Sequence, residues 1–507
     1  MISPSGRPVV VWWVKRDARL ADNAPLVEAA RLGAAVLPLF CVEPSLAAAA
    51  DTSDMHLQAQ WQAVGHLRDQ LRRLGADILF AHGEVTDKLA KLAGRVPFTH
   101  LFAHEEVGNA VTFRRDVAVA DWCRQHGVEY REFPQSSVRR GGVDRDRRHE
   151  LWQARIAGTG PLAVPDIWQP ADLTRLAAGT AFPKLPAFAD RPGWQPVTEA
   201  AAHATLHDFL ARRGRWHRGG ISSPTRATTA GSRLSVHLAW GTLSARQVWH
   251  ATRRRLDELD PADPDSVRWR SSLEGFLSRL HWRDHFTQRL ESEPAMELRS
   301  IHPSYRDLHF ENDPGLHAAW RDGRTGFPLV DAVMRCLAAT GFVNFRMRAM
   351  VTSVACHALH LDWRLIHPHL AGVFRDYDPG IHLAQLQMQA GVVGWGAVRV
   401  YNPAKQLADW DADGRFVHRW VPELRSLTGE QLVAGERPPG YPPPVVPFAE
   451  RTRWMTDVLY AVRKTHAAKA ATPAVYDRHG SRRPEHRPRR RVVRRASPQP
   501  GLFDRVG

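Results

Sequence analysis

Cysteine is scarce in this chain of 507 residues, which contains only four. Cys41, Cys123, Cys336 and Cys356 are scattered along the sequence, and no two of them form a CxxC pair. This spacing gives no sign of a zinc site or a disulfide framework, and we predict no metal centre. So few thiols in so long a chain are typical of a reducing cytosol.

Long hydrophobic runs are also missing. The apolar stretch inside MISPSGRPVVVWWVKRD is too short and wrongly flanked for a signal peptide or a membrane span. We therefore expect a cytoplasmic protein that does not contact a membrane. The chain is too long for one hydrophobic core, so two or three domains are expected.

Negative charge is under-represented, because the formal net charge is +16. Residues 478–495 contain nine arginines and one glutamate, which accounts for about half of that excess. A basic balance of this size favours binding to a polyanion, above all to nucleic acid. The alternative is a composition rich in arginine that serves solubility alone. Eighteen tryptophans suit stacking on planar ligands or bases as well as an ordinary core.

Five candidate strands alternate with helix-like stretches in the first part of the chain. They are residues 8–14, 34–42, 76–83, 98–106 and 127–134. Strands and helices that alternate at this spacing predict a parallel, Rossmann-like α/β sheet. No GxGxxG follows the first strand, so a dinucleotide site at that position has no motif in its favour.

The rest of the chain divides by composition. We predict an N-terminal α/β domain over 1–135, a connector with short helices over 136–205, an all-helical domain over 206–470 and a basic, disordered tail over 471–507. Candidate helices of the third region are 244–258, 267–292, 314–322, 327–340, 343–361 and 403–411.

The stretch DYDPGIHLAQLQMQAG (376–391) stands out. Two acids lie two residues apart, and a proline and a glycine follow them. Gln385, Gln387 and Gln389 then alternate with apolar residues, which is a strand-like period inside a region of helical patterns.

Several long segments resemble the photolyase and cryptochrome family, in the family's order. They are VVWWVKRDARLADNAPLVEAA (10–30), TGFPLVDAVMRCLAATGFVNFRMRAM (325–350), LDWR (361–364), RVYNPAKQ (399–406) and DADGRFVHRWVPEL (411–424). The resemblance implies an N-terminal α/β domain followed by a helical domain that binds FAD, which agrees with the division made from composition.

The resemblance also implies which residues bind FAD. Ser232, Leu234 and Ser235 correspond to the loop on the diphosphate, although a Ser in this setting is more commonly a plain helix cap. Gly231 stands where the family often has Thr. The other implied FAD contacts are Phe276, Arg279, Arg283, Phe342, Phe345, Arg348, Asp376, Asp378 and His382.

Two of these residues carry the implied chemistry at the flavin. The family pairs Arg348 with Asp376 beside the isoalloxazine ring, where an arginine stabilises negative charge on the reduced ring. The same pair also fits a purely structural salt bridge. Gly380 and His382 are both candidates for the position opposite flavin N5, and the three glutamines are expected to be buried near flavin or lesion.

Trp282 corresponds to the aromatic residue that packs against a flipped pyrimidine dimer, although a core tryptophan is an equal alternative. Arg279 stands where known dimer photolyases carry a Glu that accepts hydrogen bonds from the lesion, and an arginine cannot accept them. Arg346, Arg399 and Lys405 are implied DNA contacts, with a solvated basic turn as the alternative for the last two.

The family's chain of three tryptophans is broken here. Trp363 matches one member, Phe310 falls at the outer position, and LAQLQM supplies no tryptophan at the position next to the flavin. Photoreduction then needs another aromatic route, for which Trp240, Trp320 and Trp395 are available, or an external reductant.

The resemblance therefore implies a deoxyribodipyrimidine photo-lyase, a carbon–carbon lyase that repairs damaged DNA with blue light and reduced FAD. A cyclobutane dimer is the favoured lesion, because Asn344 and Phe345 replace the paired histidines of (6-4) photolyases. One alternative is a light-sensing cryptochrome that signals through flavin redox state, and another is a flavin protein that binds DNA without light chemistry.

Two further partners are implied. A second, antenna chromophore is expected in the N-terminal domain near HEEVGN (104–109), with its identity open. QPGLFD (499–504) looks like the short peptides that dock on bacterial sliding clamps, although a random tail sequence is the stronger interpretation.

Overall fold

The computed structural model of the chain describes residues 7–142, 145–180 and 193–481. Five parallel strands form one sheet in the order β3-β2-β1-β4-β5. They are β1 (Val9–Trp13), β2 (Ala35–Val42), β3 (Leu79–His82), β4 (His100–His104) and β5 (Glu129–Phe133). The predicted Rossmann-like α/β domain is confirmed.

Helices cover both faces of this sheet. The crossover helices are Ala24–Arg31, Asp54–Arg73, Val85–Ala93 and Ala110–Gln125, with a short turn at Pro44–Ala47. All five side chains of β1 are buried, because β1 is central and both of its faces are covered. This explains why VVVWW is continuously apolar and does not alternate.

The predicted connector contains short helices, as expected, at Arg148–Trp152, Ala171–Ala178 and Glu199–Asp208. After it the chain is helical among the described residues. The main helices are Ala245–Asp257, Pro264–Ser292, Pro314–Arg321, Pro328–Thr340, Phe345–Ser353, Trp363–Val373, Pro379–Gln389, Pro403–Trp410, Phe448–Lys464 and His466–His479. Shorter ones are Ala227–Ala230, Ser235–Ala239, Arg415–Trp420 and Gly429–Ala434.

The predicted helix 343–361 is too long. An α-helix ends at Ser353 and continues as one π-helical turn, Val354–Ala358, before the chain turns at His360 with a φ of 51°. Backbone in the left-handed region cannot continue a right-handed helix.

The period-two pattern of 383–389 lies in a helix, not in a strand. Helix Pro379–Gln389 begins where the sequence shows a chain break, because Pro379 occupies its first turn and the Asp378 carboxylate accepts a hydrogen bond from the Ile381 amide at 3.4 Å. A Cβ on Gly380 would lie 2.7 Å from the Thr287 Cα. Glycine therefore lets this helix pack closely against helix Pro264–Ser292, which we call the long helix.

The C-terminal boundary differs from the prediction. Helix His466–His479 runs through residue 470, so the ordered chain extends past the predicted start of the tail. Tyr476 packs edge-on against Trp395 at 6.2 Å between ring centroids, and His479 pairs with Glu293 of the main body at 2.9 Å. The clamp-like QPGLFD sequence and most of the basic run lie outside the described residues.

Candidate functional site

The Asp-Tyr-Asp segment, residues 376–378, is held between two arginines. Arg348 Nη2 lies 2.9 Å from Asp376 Oδ1 and 3.0 Å from its Oδ2. Arg283 Nη2 lies 3.3 Å from Asp378 Oδ2, while its Nη1 lies 3.3 Å from Asp284 Oδ1. Both acids that the sequence singles out are therefore paired with arginines from other helices.

A third arginine, Arg233 of the loop 231–235, borders the site. The Arg233 guanidinium lies over the Phe342 ring at 3.6 Å, and Arg348 lies 4.2 Å from the centre of the Phe374 ring. Arg283 also donates to the Leu238 carbonyl at 3.5 Å. These contacts link a series of residues that begins and ends on the chain segment 233–238, which we call the arginine ring: Arg233, Phe342, Arg348, Asp376, Asp378, Arg283 and Leu238.

The loop 231–235 is shaped by its backbone. Arg233 has a φ of 60°, which is unusual for a residue with a side chain and holds it in the left-handed region. Ser232 Oγ accepts from the Leu234 amide at 3.4 Å, and Arg213 donates to the Ser232 carbonyl at 3.3 Å. Leu234 is buried and Ser235 is exposed.

Among the solvent-inaccessible side-chain atoms of this site, two have neither a hydrogen-bond partner nor an ion-pair partner among the described residues. They are Arg233 Nη1 and His382 Nε2. Burial lowers the pKa of Arg233 to about 10, although nearby Asp376 opposes that shift. A buried donor without an acceptor is costly, so both atoms suit a ligand with polar and anionic groups.

His382 belongs to a group of aromatic side chains that adjoins the arginine ring through Phe374. Its imidazole lies 5.0 Å from His367, 5.3 Å from Tyr377 and 5.7 Å from Phe374, between ring centroids. Burial, followed by the charges of His367 and Arg348, lowers the pKa of His382 well below its usual range. The imidazole is therefore neutral. Gly380, the other candidate for the N5 position, is packed against the long helix.

Trp282, Phe276 and Arg279 all lie on the long helix. Trp282 is half-buried, with its ring 5.2 Å from His285 and 5.5 Å from Phe286. Phe276 is buried and its ring lies 4.8 Å from Phe209. Burial, followed by the charge of the half-buried Arg279, lowers the pKa of His217 to about 3.

The buried glutamines have a structural role. Gln387 accepts from the Ile301 amide at 2.7 Å and donates to the carbonyls of Met296 and Arg299 at 2.7 and 3.2 Å. Its side chain therefore takes the place of backbone partners for the loop after the long helix. Gln389 is buried and Gln385 half-buried, and they bond to each other at 3.4 Å.

The expected DNA contacts Arg346, Arg399 and Lys405 are not members of the arginine ring. Arg346 lies over Trp410 at 4.5 Å and donates to Ser222 Oγ at 3.5 Å. Lys405 is exposed and pairs with Asp409 at 3.0 Å. Arg399 is half-buried and makes no ion pair within the described chain. Phe345, next to Arg346, is half-buried and packs on the helical core.

Trp363 lies outside the arginine ring. It is fully buried and donates from Nε1 to Ser300 Oγ at 3.3 Å. Phe310, at the expected outer position, is also buried.

A cleft lies at the carboxyl edge of the sheet. Its sheet wall includes Lys15, Glu43 and Glu106, which follow β1, β2 and β4, and its opposite wall includes Trp240 and Tyr377 of the helical part. Gly108 and Asn109 of the HEEVGN segment also line it. Lys15 and Arg115 lie over the Trp13 ring at 4.6 and 4.8 Å.

Comparison with known proteins places this geometry in a family. Residues 10–143 match the family model described as DNA photolyase, and residues 276–460 match the model described as the FAD-binding domain of DNA photolyase. The chain belongs to the photolyase and cryptochrome family. The second match covers the long helix from Phe276 onward, the arginine of each acidic pair and the Asp-Tyr-Asp segment.

The relatives include both photolyases and cryptochromes. The chain is 27% identical over 476 residues to a deoxyribodipyrimidine photo-lyase of Halobacterium salinarum, which covers 87% of this chain and 96% of the relative. It is 26% identical over 477 residues to a cryptochrome DASH of rice, covering 84% and 79% respectively. A bacterial class III photolyase structure from Agrobacterium tumefaciens superposes with a TM-score of 0.75 at 25% identity, covering 90% of this chain and 98% of that one.

The residues of this photolyase-family chain fit FAD. The two partnerless atoms, Arg233 Nη1 and His382 Nε2, border the arginine ring, and a diphosphate and a flavin ring supply acceptors and donors of the required kinds.

Among the described helices none is long and apolar enough to cross a membrane.

Sequence reasoning missed three contributors to the site. Arg233 lies between two residues that were expected to contact FAD, and its left-handed backbone gave no sequence signal. Arg213 lies in the helical turn Phe209–Arg213, which carries no family motif, and His367 follows the LDWR motif in helix Trp363–Val373 without being part of it. Only the fold brings these two residues close to the site.

Proposed function

We propose that this chain is a deoxyribodipyrimidine photo-lyase that splits a cyclobutane pyrimidine dimer in DNA. The observation that carries the proposal is the arginine ring, in which two acids fix two guanidiniums and a third guanidinium keeps a partnerless donor. Reduced FAD, when bound, supplies the light-driven electron that opens the cyclobutane ring.

Within that reaction, Arg348 would hold positive charge beside the flavin. Asp376 fixes its orientation, because both carboxylate oxygens lie within 3.0 Å of one Arg348 nitrogen. Arg348 Nε donates to the Val343 carbonyl at 3.0 Å, so Nη1 would be the nitrogen that faces the flavin, and the charge of the guanidinium would oppose negative charge on the reduced ring.

Arg233 and the hydroxyl loop would hold the diphosphate end of the cofactor. The guanidinium of Arg233 already lies in the ring with one donor to offer, and Ser232 and Ser235 bring hydroxyl groups to the same loop. Arg283 braces this arrangement, because it ties Asp378 to the Leu238 carbonyl.

DNA would be bound on the face that carries Arg346, Arg399 and Lys405. Phosphate contacts position a duplex and carry no base information, and flat half-exposed aromatics such as Trp282 suit an extruded base. The Lys405–Asp409 pair partly neutralises its lysine, so Arg346 and Arg399 are expected to contribute more to phosphate binding.

A light-dependent repair assay tests the proposal. The FAD-loaded, chemically reduced protein is incubated in the dark or under blue light with an oligonucleotide that carries a cyclobutane dimer or a (6-4) product. We expect light-dependent loss of the cyclobutane dimer alone. Loss of the (6-4) product alone would overturn the lesion assignment, and loss of neither would overturn repair.

A cryptochrome-like light sensor is the second candidate. Arg279 favours it, because a guanidinium cannot accept the hydrogen bonds that a Glu accepts at the lesion. The absence of tryptophan at position 310 favours it as well. Illuminated protein that repairs neither lesion but changes its hydrodynamic radius or proteolysis pattern reversibly would support this candidate.

Three finer features of the proposal concern partners. The cleft that Lys15 and Tyr377 line is the proposed antenna chromophore site. The QPGLFD peptide would dock on a sliding clamp, and unchanged clamp binding after deletion of residues 478–507 would contradict this. DNA binding would place the protein on the bacterial nucleoid.

A further inference from the structure

Tyr377 lies between the candidate flavin site and the cleft at the sheet edge. Its neighbours Asp376 and Asp378 turn toward the arginine ring, whereas the Tyr377 ring lines the cleft. The ring is buried and lies 5.3 Å from His382, 5.4 Å from His56 and 6.3 Å from His367, between centroids. One residue thus touches both regions.

The phenol has a ready proton acceptor. Tyr377 donates its hydroxyl proton to Asp51 Oδ2 at 2.6 Å, and the other carboxylate oxygen of Asp51 accepts from Asn109 at 2.8 Å. An O–H···O⁻ contact of this length is a strong, charge-assisted hydrogen bond. Burial raises the pKa of Tyr377 well above its usual range, so the phenol is protonated at rest.

We propose that Tyr377 is the residue that reduces the photoexcited, oxidised flavin in this chain, in place of the broken tryptophan series. One electron passes from the phenol to the flavin, and the phenol proton passes to Asp51. The products are a neutral tyrosyl radical, a protonated Asp51 and a flavin with one more electron. An external thiol then returns an electron to the radical, and Asp51 returns the proton.

Trp240 is a poorer donor than Tyr377 for an electrostatic reason. Trp240 lies beyond His56, at 5.7 Å between ring centroids, and the Arg16 guanidinium covers its ring at 4.7 Å. A positive hole on Trp240 is repelled by that charge, because an indole radical cation keeps its charge until a proton leaves. Trp240 Nε1 donates only to the neutral Arg375 carbonyl, at 2.8 Å.

Trp363 cannot pass a positive charge on to position 310, its expected neighbour in the relay. Position 310 is phenylalanine, which is too hard to oxidise to relay a hole, and both side chains are buried. Tyr377 in contrast has an aromatic neighbour on each side and a carboxylate on its hydroxyl. The combination of a buried phenol, a short bond to an acid and contact with His382 carries the inference.

Electron paramagnetic resonance on the full-length FAD-loaded protein tests this role. Oxidised protein with ring-deuterated tyrosine is frozen under blue light, and the radical spectrum and the rate of flavin bleaching with thiol are recorded. We expect a tyrosyl signal that narrows on deuteration, and Tyr377→Phe should abolish it and slow bleaching at least tenfold. Tyr305→Phe is the matched control, since Tyr305 is equally buried but donates to the Leu459 carbonyl.

A second variant separates the redox role from a structural one. Asp51→Asn keeps the tyrosine ring but replaces the proton acceptor, so bleaching should slow and its dependence on D₂O should disappear. FAD content and thermal unfolding show whether each variant is folded. An unchanged bleaching rate in folded Tyr377→Phe, or a tryptophan radical in its place, would overturn the inference.

The inference rests on the proposed flavin site, and repair separates the two. Repair by chemically reduced protein needs no photoreduction. A tyrosyl radical without dimer loss would leave this inference standing and overturn the repair proposal, and dimer loss without a tyrosyl radical would do the reverse. Failure to bind FAD would overturn both.

Discussion

Arg348 and Asp376 are joined by a contact of 2.9 Å although they are 28 residues apart, Arg348 in helix Phe345–Ser353 and Asp376 in the turn before helix Pro379–Gln389. The pair fixes a guanidinium beside the Phe342 and Phe374 rings. The pair belongs to the arginine ring, so we expect its loss to weaken FAD binding more than it lowers the stability of the fold.

Replacement of Asp376 by Asn should weaken FAD binding. The substitution leaves Arg348 without a counter-charge in a half-buried site, and we expect a loss of about tenfold in affinity, which corresponds to about 1.4 kcal/mol. Fluorescence titration of the apoprotein with FAD measures the change. Asp409→Asn, which breaks the exposed Lys405 pair, is the control and should leave the affinity unchanged.

Gly380→Ala should destabilise the protein. The added methyl group would lie 2.7 Å from the backbone of Thr287, so two packed helices must separate at a cost of about 1–3 kcal/mol. Urea unfolding followed by circular dichroism gives the difference. Gly275→Ala lies on the long helix with nothing within 4 Å, and it should be neutral or slightly stabilising.

Gln387→Leu should also destabilise, although leucine is more apolar. The change leaves the Ile301 amide and the carbonyls of Met296 and Arg299 without this partner. A buried group that loses its hydrogen bond costs about 1–3 kcal/mol, so we expect a loss of at least about 2 kcal/mol. Equal unfolding midpoints for Gln387→Leu and the half-buried Gln385→Leu would contradict the assigned role.

Acid should destabilise the fold partly through His357. Burial lowers the pKa of this fully buried imidazole to about 4, from 6.5 in the unfolded chain. Its contribution to stability is therefore complete above pH 6.5 and is lost as the pH falls toward 4, by about 2 kcal/mol at pH 5. Between pH 7.5 and pH 5 the wild type should lose more stability than His357→Gln, whereas exposed His466→Gln should behave as wild type.

Arg346→Ala should weaken DNA binding at every sequence. Removal of one phosphate contact lowers the slope of log affinity against log salt by about 0.9. Lys405→Ala should have a smaller effect, because Asp409 already partly neutralises this lysine. Fluorescence anisotropy over a salt series measures both slopes. Arg124→Ala, on an exposed sheet-domain helix, should change neither, and an equal change in all three would indicate a non-specific charge effect.

Sequence patterns predicted the sheet well and some helix ends poorly. Four of the strands were recognisable because each is a short, largely apolar run between helix-like stretches, and β5, in which exposed and half-buried residues alternate, closes the series. Residues 383–389 were ambiguous, because alternation along the chain does not reveal that Gln387 is buried by a loop from another part of the sequence. Ser353–His360 was misjudged, because nothing in its residue types announces a left-handed turn at His360.

The candidate site divides in the same way. Arg348, Asp376 and Asp378 could be named from motifs, since short local sequences carry them. Two other features could not be predicted: the contact of Arg233 with Phe342 and the hydrogen bond between Tyr377 and Asp51. They depend on contacts between segments up to 326 residues apart.

The sequence by itself determined the order of the two domains, the likeness to a flavin-dependent family and the basic charge that suits DNA. These properties follow from residue type, spacing and composition, which local chemistry dictates. Only the tertiary structure decided that Asp378 pairs with Arg283 and that Tyr377 faces an acid from the other domain. Hydrogen bonds and ion pairs act over a few ångströms, so the packing of distant helices determines which groups can form them.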